Sequence, residues 1–528
     1  MSKIGIFLGF QYKSKIKSEG IGRLLGFMLK TDAQQNIVVA MPEWLKKEFM
    51  ALLEDQDISP NKIEIITTKK VPYSIRVMEF YKKLKLKKKT VKKNKAQRII
   101  DWVSGRLKFK INNLISSKNI FYIVFTALYL TIIAILLLPL VLVGYILIQL
   151  KRIVKKISNA IIKNSKRLVK KIIREIYSSD DFSKVIHMLY EKMHHVELKS
   201  LVQDINKRQD IETWYIPALF WPEVQEIKAK KIIAAPDIVY YDFPVQFATP
   251  SDDLIHNKLI KTIKSADHII CYSNYVKYNH IVKKFSIDEQ HITVIPHGCI
   301  EMNKLIKVKN SIKQFINQKQ LAVEIIEQYI LTNGVIKEIL RNVDWYQMRF
   351  IIYSSQDRPH KNILALIKAV EILNRERYQN IKLVLTGNIY ENNDIVNFIK
   401  ENNMENEIIQ FCNVPSKVLA AFNRLAICAV NPTMFEGGFP FTFTEAYSMD
   451  TPSVMSKIPV IEEVIQDEEL RDKMLFDPYD LDDMVEKINW AIKNHEVLYD
   501  MQADLYAKFK ERNWNSVVEE YMALFNTI

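Results

Sequence analysis

The feature that most constrains this chain is a run of 32 residues, 119–150, that contains no charged side chain. Isoleucine, leucine, valine and tyrosine dominate the run, and Pro139 and Gly144 interrupt it. As a helix it would extend roughly 48 Å, whereas the hydrocarbon core of a bilayer is about 30 Å thick. Because a soluble core rarely buries so long an apolar helix, the run predicts insertion into a membrane.

The positive charge of the chain is concentrated around this run. The whole chain of 528 residues has a net charge of +15, but residues 82–174 alone contain 24 Lys and Arg and one acidic residue, Asp101. That segment therefore has a net charge of +23, and the rest of the chain has −8. No RNA- or DNA-binding module accompanies it, so we expect its partner to be an anionic membrane surface and not a nucleic acid.

Basic residues on both sides of the uncharged run decide how it enters the membrane. The positive-inside rule places both flanks on the cytoplasmic side. A single span would separate the two halves of the fold, so we expect a re-entrant hairpin bent near Pro139 or a deeply embedded interfacial segment. Residues 151–174 predict an amphipathic helix at the membrane surface, and a solvated basic helix packed on the protein is the alternative. Its apolar stripe consists of Ile153, Ile157, Ile161, Leu168 and Ile172.

Outside this segment, short β-rich stretches alternate with helical ones, which predicts parallel sheets of the doubly wound α/β type. The predicted strands include KIGIFLGF, NIVVAMP and KIEIITT near the start, and FIIYSS and KLVLTGN later. Surface loops tolerate long insertions, because the entropy cost of closing a loop grows slowly with its length. We predict an N-terminal Rossmann-like domain (1–75 and 191–300), a membrane-associating insertion (76–190), a helical connection (301–345), a second Rossmann-like domain (346–505) and a C-terminal helix (506–528) that returns to the first domain.

The four cysteines are widely separated and form no CxxC pair. This spacing favours a reducing compartment and argues against a disulfide framework or a zinc site. No other cluster of metal-ligating residues stands out in the sequence, so we expect neither a metal nor a cofactor.

Two cations precede a predicted helix in the stretch QDRPHKN. Arg358 and Lys361 lie beside a helix start at Asn362, where charged side chains and oriented N–H groups together can bind a diphosphate. An ordinary basic loop is the alternative. Nearby, TGN places Gly387 and Asn388 at the carboxyl end of a strand, the edge at which open α/β sheets bind ligands.

Two glutamates surround a Gly-Gly step in FEGGFPFTFTEAYSM. Glu436 directly precedes Gly437 and Gly438, and glycine can adopt positive φ without a Cβ clash, so this carboxylate could approach a ligand closely. Glu445 falls in FTFTEAYSM, which predicts a helix whose first N–H groups favour phosphate or sugar oxygens. An acidic surface loop followed by a capped helix is the alternative.

In their order along the chain, these stretches resemble glycosyltransferase family 4, which comprises retaining nucleotide-sugar enzymes. The resemblance implies the GT-B fold, in which two Rossmann-like domains face a cleft. It covers nearly all of residues 346–525, covers 1–75 and 210–300 more loosely, and does not extend to the insertion. The stretches that carry it are GIGR, CYSNYVK, VIPHG, RPHKN, TGN, FEGGFPFTFTEA and WNSVVEEYMALF.

The resemblance implies a role for each candidate residue. Arg358 and Lys361 would hold the donor diphosphate, Glu436 would face the donor sugar, and Glu445 would bind the ribose. The nucleotide-sugar would be a substrate, and attack on the same face of the sugar would need neither a metal nor a strong protein base. The other residues implied on the donor side are Gly20, Gly22, Arg23, Gly387, Asn388, Gly437 and Gly438.

Two departures from the family pattern affect these roles. The family has seven residues between the glutamates, whereas eight separate Glu436 from Glu445. On a helix one extra residue rotates a side chain by about 100°, so either the turn absorbs the residue or the ribose contact is lost. Where many relatives carry a His-Asp pair, this chain has Pro236-Asp237, so Asp237 is expected near the acceptor without a histidine. His297 is expected to be structural.

The membrane segment and the resemblance together predict a hexosyltransferase on the cytoplasmic face of the cell membrane. It would use a lipid-linked saccharide or glycolipid acceptor in surface polysaccharide or glycoconjugate synthesis, because an enzyme embedded beside its cleft can reach lipid-anchored sugars. The Lys- and Ile-rich composition suggests a bacterial source. A non-enzymatic membrane scaffold with a degenerate sugar-nucleotide fold is the alternative, and a scaffold would have no use for Arg358, Lys361 and Glu436.

Overall fold

The structure of the protein is a computed structural model. It describes residues 3–14, 16, 20–30, 37–75, 121, 124, 125, 128, 180–236, 238–246, 252–306, 314–333 and 338–528. The chain falls into two compact units. Unit 1 comprises Met1–Lys17, Asn36–Glu212 and Glu226–Ala229, and unit 2 comprises Ser18–Gln35, Thr213–Gln225 and Lys230–Ile528.

Strands and helices alternate along the described chain. The strands are β1 Lys3–Phe7, β2 Ile37–Met41, β3 Glu64–Thr67, β4 Ile211–Ile216, β5 Lys230–Ala234, β6 His268–Cys271, β7 Ile292–Val294, β8 Phe350–Tyr353, β9 Lys382–Leu385, β10 Ile408–Gln410, β11 Ala429–Asn431, β12 Ser453–Ser456 and β13 Leu475–Phe476. The helices are α1 Gly20–Lys30, α2 Lys46–Asp55, α3 Asp180–Ile205, α4 Val239–Asp242, α5 Asp252–Lys264, α6 Lys283–Phe285, α7 Gln314–Thr332, α8 Ile363–Arg375, α9 Asn393–Glu401, α10 Ser416–Leu425, α11 Phe441–Tyr447, α12 Pro459–Glu462, α13 Glu468–Met474, α14 Leu481–Lys493, α15 His495–Met501, α16 Ala503–Glu511 and α17 Trp514–Thr527. A π-helical turn covers Val276–Val282, and a 3-10 turn covers Pro359–Lys361.

Unit 1 contains parallel strands in the order β3-β2-β1. Val39, in the middle of β2, lies opposite both Ile6 and Ile65. Every residue of β2 is buried, as expected for a strand of a parallel sheet whose two faces are both covered. The apolar sequence IVVAM therefore forms the centre of this unit.

Helix α3 holds the loop that follows β1. The His194 ring nitrogen Nε2 lies 2.8 Å from the carbonyl oxygen of Gly9. The backbone N–H of Tyr12 donates to the Tyr190 hydroxyl at 2.7 Å, and the amide of Gln11 donates to a carboxylate oxygen of Glu191 at 2.9 Å. This loop leaves the carboxyl end of a sheet strand, so α3 fixes backbone at the edge where α/β sheets bind ligands.

In unit 2 the strands of the first sheet lie in the order β4-β5-β6-β7, and the second sheet has the order β10-β9-β8-β11-β12-β13. Neighbouring strands in both sheets are parallel, with Ile351 opposite Leu383 and Val430 opposite Val454. Side chains of β8 alternate between two core clusters. Ile351 packs with α8 and α14 on one face, whereas the residues on either side of it pack with α7 and α10 on the other. Parallel strands with covering helices confirm the predicted α/β class.

The C-terminal helix α17 packs against α1 and β4 within unit 2. The ring of Trp514 stacks on Phe27 with centroids 4.2 Å apart, and Tyr521 meets the edge of Tyr215 at 5.6 Å. Arg512, just before the helix, donates to the carbonyl oxygen of Pro296 at 3.1 Å and forms two hydrogen bonds with Glu520. These contacts bring the last residues of the chain to the VIPHG segment.

The predicted membrane segments at 119–150 and 151–174 lie outside the described residues, except for residues 121, 124, 125 and 128. Among the helices that the structure describes, none is both long and apolar enough to cross a membrane. The predicted domain limits stay predictions.

Candidate active site

One pocket of about 280 Å³ in unit 2 brings most of the predicted site residues together. Its wall includes the first turn of α1, the backbone after β6 and the segments that follow β8 and β11. These segments leave the carboxyl ends of parallel strands, which is the expected place for a ligand. The predicted residues in the wall are Gly20, Arg23, Arg358, Lys361, Glu436, Gly437, Gly438 and Glu445.

Lys361 and Glu436, 75 positions apart in sequence, form an ion pair in this pocket. The ammonium nitrogen lies 2.5 Å from a carboxylate oxygen, and the side chains are 14% and 22% exposed. Lys361 ends the 3-10 turn Pro359–Lys361, and Asn362 then adopts φ 54° and starts α8. Asparagine tolerates this left-handed conformation better than most residues do. The turn thus directs Lys361 and Arg358 into one pocket.

The Gly-Gly turn is held by hydrogen bonds at both ends. The Thr433 hydroxyl donates to the carbonyl oxygen of Phe435 at 2.8 Å, and the Ser273 hydroxyl donates to that of Gly437 at 2.9 Å. A Cβ atom on Gly438 would lie 2.7 Å from the Cβ of Tyr272, closer than real carbon atoms approach. Glycine is needed here because another backbone passes close by.

This finding corrects one step of the sequence argument. We predicted that the glycines after Glu436 provide positive φ, but no glycine in the described part of the chain has a positive φ. The turn uses ordinary dihedral angles, and the missing side chain gives room for Tyr272. Sequence shows that a glycine is present but not which of its two physical advantages the fold uses.

Glu445 reaches the same pocket despite the additional residue in its spacing. It lies in α11, which begins at Phe441 within the predicted helix, and only 1% of the residue is exposed. Its carboxylate forms an ion pair with the guanidinium of Arg23 in α1. The structure therefore brings Arg23 and Glu445 into contact, although they are 422 positions apart in the sequence.

Gly387 and Asn388 do not line this pocket. A Cβ atom on Gly387 would lie 2.2 Å from the carbonyl oxygen of Ser355, so this glycine gives the backbone after β8 room to pass. The amide of Asn388 donates to Glu391 at 3.1 Å, and its oxygen accepts from the N–H of Tyr390 at 3.2 Å. Asn388 thus stabilises its own loop.

One further predicted residue, Gly22, is also absent from the pocket wall. Gly22 is buried inside α1. Asp237 lies outside the described residues. The neighbouring Pro236 does line the pocket.

Two histidines in the pocket wall are held neutral. Burial, together with the positive charges of Lys361 and Arg358, lowers the pKa of His360 to about 3. Burial likewise lowers the pKa of His297 to about 3, with an added effect of Arg512. The ring of His297 packs on Tyr272 with centroids 4.1 Å apart. Neutral rings contribute shape and hydrogen bonding at neutral pH but no charge.

We expect His360 to make the protein less stable in acid. The pKa of an unfolded histidine is about 6.5, so between pH 6.5 and 3 the unfolded chain binds a proton that the folded chain does not. The free energy of unfolding therefore falls as the pH falls, by at most about 1.4 kcal/mol per pH unit for this group. Urea unfolding at pH 7 and pH 5 measures the change, and His360→Asn should reduce it.

The exposed His495 provides the control for this experiment. His495→Asn should leave the pH dependence as in the unmodified protein. The same pH dependence in all three proteins would contradict the assignment of His360.

Sequence reasoning missed several residues of the pocket wall, among them Tyr272 and Asn431. Asn431 ends β11, and its amide donates to the Thr442 hydroxyl at 3.1 Å. Tyr272 follows β6 directly. Both positions follow the rule that polar residues at the carboxyl ends of parallel strands meet at one edge, and that rule could have identified them. Among the described residues, no group of His, Cys, Asp or Glu is placed to hold a metal ion.

Comparisons with known proteins agree with this architecture. Residues 337–512 match the family model for glycosyl transferases group 1. No curated protein matches the chain by sequence. Three similar solved structures are Anabaena HepE with UDP-glucose (12% identity, 100% of both chains, TM-score 0.57), a glycosyltransferase from Rickettsia africae (11%, 100% of this chain and 98% of that one, 0.53) and the N-terminal domain of Candida albicans trehalose-6-phosphate phosphatase (11%, 99% and 96%, 0.55).

At such low identities the structural likeness shows the fold alone. The segment that matches by sequence contains Arg358, Lys361, Glu436 and Glu445, so it covers most of the pocket residues. The chain therefore has the predicted GT-B fold, and its glycosyltransferase group 1 segment supports a glycosyltransferase.

Proposed function

We propose that the protein is a retaining, metal-independent glycosyltransferase of family 4 that transfers a hexose from a nucleotide-sugar to a lipid-linked saccharide or glycolipid. One observation carries the proposal. Arg358, Lys361 and Glu436 meet the Gly437–Gly438 turn in a single pocket. Two cations, a carboxylate and backbone groups that line the same pocket are the combination that a sugar diphosphate needs.

Arg358 and Lys361 bind the diphosphate of the donor in this proposal. Charge-assisted hydrogen bonds from both side chains stabilise the negative charge that develops on the leaving nucleotide diphosphate. Lys361 is paired with Glu436 in the structure. The donor diphosphate therefore either shares the ammonium group with that carboxylate or replaces it as the partner of Lys361. The similar Anabaena protein was solved in complex with UDP-glucose, which makes a UDP-hexose the first donor to test.

Glu436 then faces the sugar, and Glu445 faces the ribose. The bond between the sugar carbon and the diphosphate oxygen breaks, and a bond to the acceptor hydroxyl forms on the same face of the ring. The proton of the acceptor hydroxyl passes to the departing phosphate oxygen, which accounts for retention without a strong protein base. The cations of Arg358 and Lys361 take the place that a metal ion has in other transferases.

The proposed acceptor class rests on the membrane prediction. Residues 82–174 have a net charge of +23 and include the uncharged run 119–150. Of the four residues of this run that the structure describes, all are helical and more than half exposed. Their spacing places them on one face, and exposed apolar faces commonly mark interaction sites. They are Phe121, Val124, Phe125 and Leu128. We therefore assign the protein to the cytoplasmic face of the cell membrane, within surface polysaccharide or glycoconjugate synthesis.

A screen of labelled nucleotide-sugars tests the activity. Each donor is incubated with purified protein and membrane lipid extracts, and label in the lipid fraction is counted with Glu436→Ala as the blank. Transfer from one donor, absent in the blank, supports the proposal. Absence of both transfer and donor hydrolysis across the screen would instead favour the non-enzymatic membrane scaffold.

Extraction of the membrane fraction tests the association separately. At a salt concentration of about 1 M the Debye screening length is roughly 3 Å, so a protein that is bound by charge alone is released. We expect the protein to remain in the pellet in salt and to be released by detergent. The double variant Phe121→Glu, Phe125→Glu should move to the salt-soluble fraction.

Val245 offers a matched control for this test. It is 81% exposed, against 82% for Phe121, but lies outside the basic segment. Val245→Glu should leave the distribution unchanged. Release of the unmodified protein by salt alone would contradict insertion.

A further inference from the structure

Glu463 makes an unusual set of contacts for a glutamate outside the pocket wall. It directly follows α12, and its carboxylate accepts three hydrogen bonds from the segment after β6. One oxygen accepts from the backbone N–H and the side-chain amide of Asn274, both at 2.9 Å. The other accepts from the backbone N–H of Tyr275, also at 2.9 Å. A carboxylate that accepts several N–H groups fixes the position of the backbone carrying them.

That backbone supports the Gly-Gly turn. Tyr272 and Ser273 come immediately before the two residues that Glu463 holds. The Ser273 hydroxyl donates to the carbonyl oxygen of Gly437 at 2.9 Å. Tyr272 leaves no room for a side chain on Gly438, since a Cβ atom there would lie 2.7 Å from its own Cβ. The chain of contacts therefore runs from Glu463 through two neighbouring residues to the turn beside Glu436.

We infer that Glu463 is a positioning residue for the donor site. This inference rests on the proposed function of the pocket. Its carboxylate fixes the N–H groups of Asn274 and Tyr275, and these place Tyr272 and Ser273 against the turn. Without the carboxylate, the N–H groups lose a charged acceptor and the segment can move away from Gly437 and Gly438. The turn would then present its backbone and Glu436 to the donor less well.

Glu463→Ala tests this role through donor affinity. Hydrogen bonds to a charged group are the strong ones, so we expect donor binding to weaken by about 10- to 100-fold with a smaller change in kcat. Titration of the protein with the donor that the screen identifies measures the affinity, and steady-state kinetics separate KM from kcat. Glu463→Gln should be intermediate. Its carbonyl oxygen can still accept from Asn274, but its NH₂ group cannot accept from Tyr275.

Glu462→Ala, at the preceding position, is the matched control. The carboxylate of Glu462 forms an ion pair with Arg471, whereas that of Glu463 accepts from Asn274 and Tyr275. This variant should change donor affinity by less than about twofold, as expected for a partly exposed pair. If both variants lower the melting temperature equally and neither changes KM, Glu463 is only structural and the inference is wrong.

Hydrogen exchange gives a readout that needs no donor. In Glu463→Ala, peptides covering 272–277 and 435–440 should both exchange faster than in the unmodified protein, whereas in Glu462→Ala neither should. Faster exchange in 272–277 alone would overturn the connection to the turn. If the unmodified protein binds no nucleotide-sugar, the proposed function fails, and the exchange of 435–440 still decides whether Glu463 holds the turn.

Discussion

Sugar transfer by Glu436→Ala should fall by roughly 100-fold or more. The variant removes the carboxylate that we propose faces the donor sugar, and it deprives Lys361 of the partner that lies 2.5 Å away. Preorganised charged groups at the reacting centre commonly contribute factors of about 100 to 1,000 to kcat. The measurement is kcat/KM with the donor that the screen identifies.

Glu371 provides the control for this prediction. It is 23% exposed, close to the 22% of Glu436, and it pairs with Arg375 on α8 at 3.5 Å. Glu371→Ala should retain nearly full activity. Near-normal transfer by Glu436→Ala would show that Glu436 has no part in the reaction.

A double variant shows whether the pair acts as a unit. Lys361→Ala alone should also reduce transfer strongly, since it removes a cation from the proposed diphosphate site. Because the two side chains contact each other, the losses should not add, and Glu436→Ala with Lys361→Ala should cost less than the product of the single effects. Independent losses would indicate that the ion pair has no role once the donor is bound.

Gly387→Ala should destabilise the protein and weaken donor binding together. The added Cβ would lie 2.2 Å from the carbonyl oxygen of Ser355 and 3.1 Å from the Cα of Gln356. Both are backbone atoms that cannot rotate away, so the strand end must move, at a cost of about 1–3 kcal/mol or more. Ser355 and Gln356 line the pocket, so the same movement disturbs the site. Urea unfolding and donor titration measure the two effects.

Gly20→Ala is the steric control, because a Cβ atom at Gly20 meets nothing within 4 Å. Gly20 is the first residue of α1, where alanine fits the helix at least as well as glycine. The free energy of unfolding of the Gly20→Ala variant should stay the same or rise slightly. If Gly387→Ala unfolds at the same urea concentration as the unmodified protein, the backbone after β8 can shift without cost.

The fold was predictable because its signal is local. Apolar stretches such as IVVAM and FIIY are short, continuous and separated by helical segments, and this alternation suffices to predict parallel sheets. The positions of Arg358, Lys361 and Glu436 at strand ends were equally visible. Their assembly in one pocket follows from the rule that parallel strands present their carboxyl ends at a common edge.

The side-chain contacts between distant residues of the site were not predictable from a single sequence. Lys361 and Glu436 were expected to contact different parts of a donor, and nothing in their spacing indicates that they contact each other. Arg23 and Glu445 are 422 positions apart, and Asn274 and Glu463 are 189 apart. Such contacts depend on how helices and loops pack, which local patterns do not determine. The roles of the site residues and the membrane segment remain predictions for the experiments above.

The ion pair between Lys361 and Glu436 also bears on the release of product. In the structure the ammonium group has an anionic partner, so under the proposed function donor binding would exchange one anion for another. When the proposed product, a nucleotide diphosphate, departs, the carboxylate would be in place to succeed it, and no bare cation would have to be returned to water. Such an internal counter-ion lowers the net affinity for both donor and product. Turnover can then be faster than the strength of a lysine–diphosphate contact alone would allow.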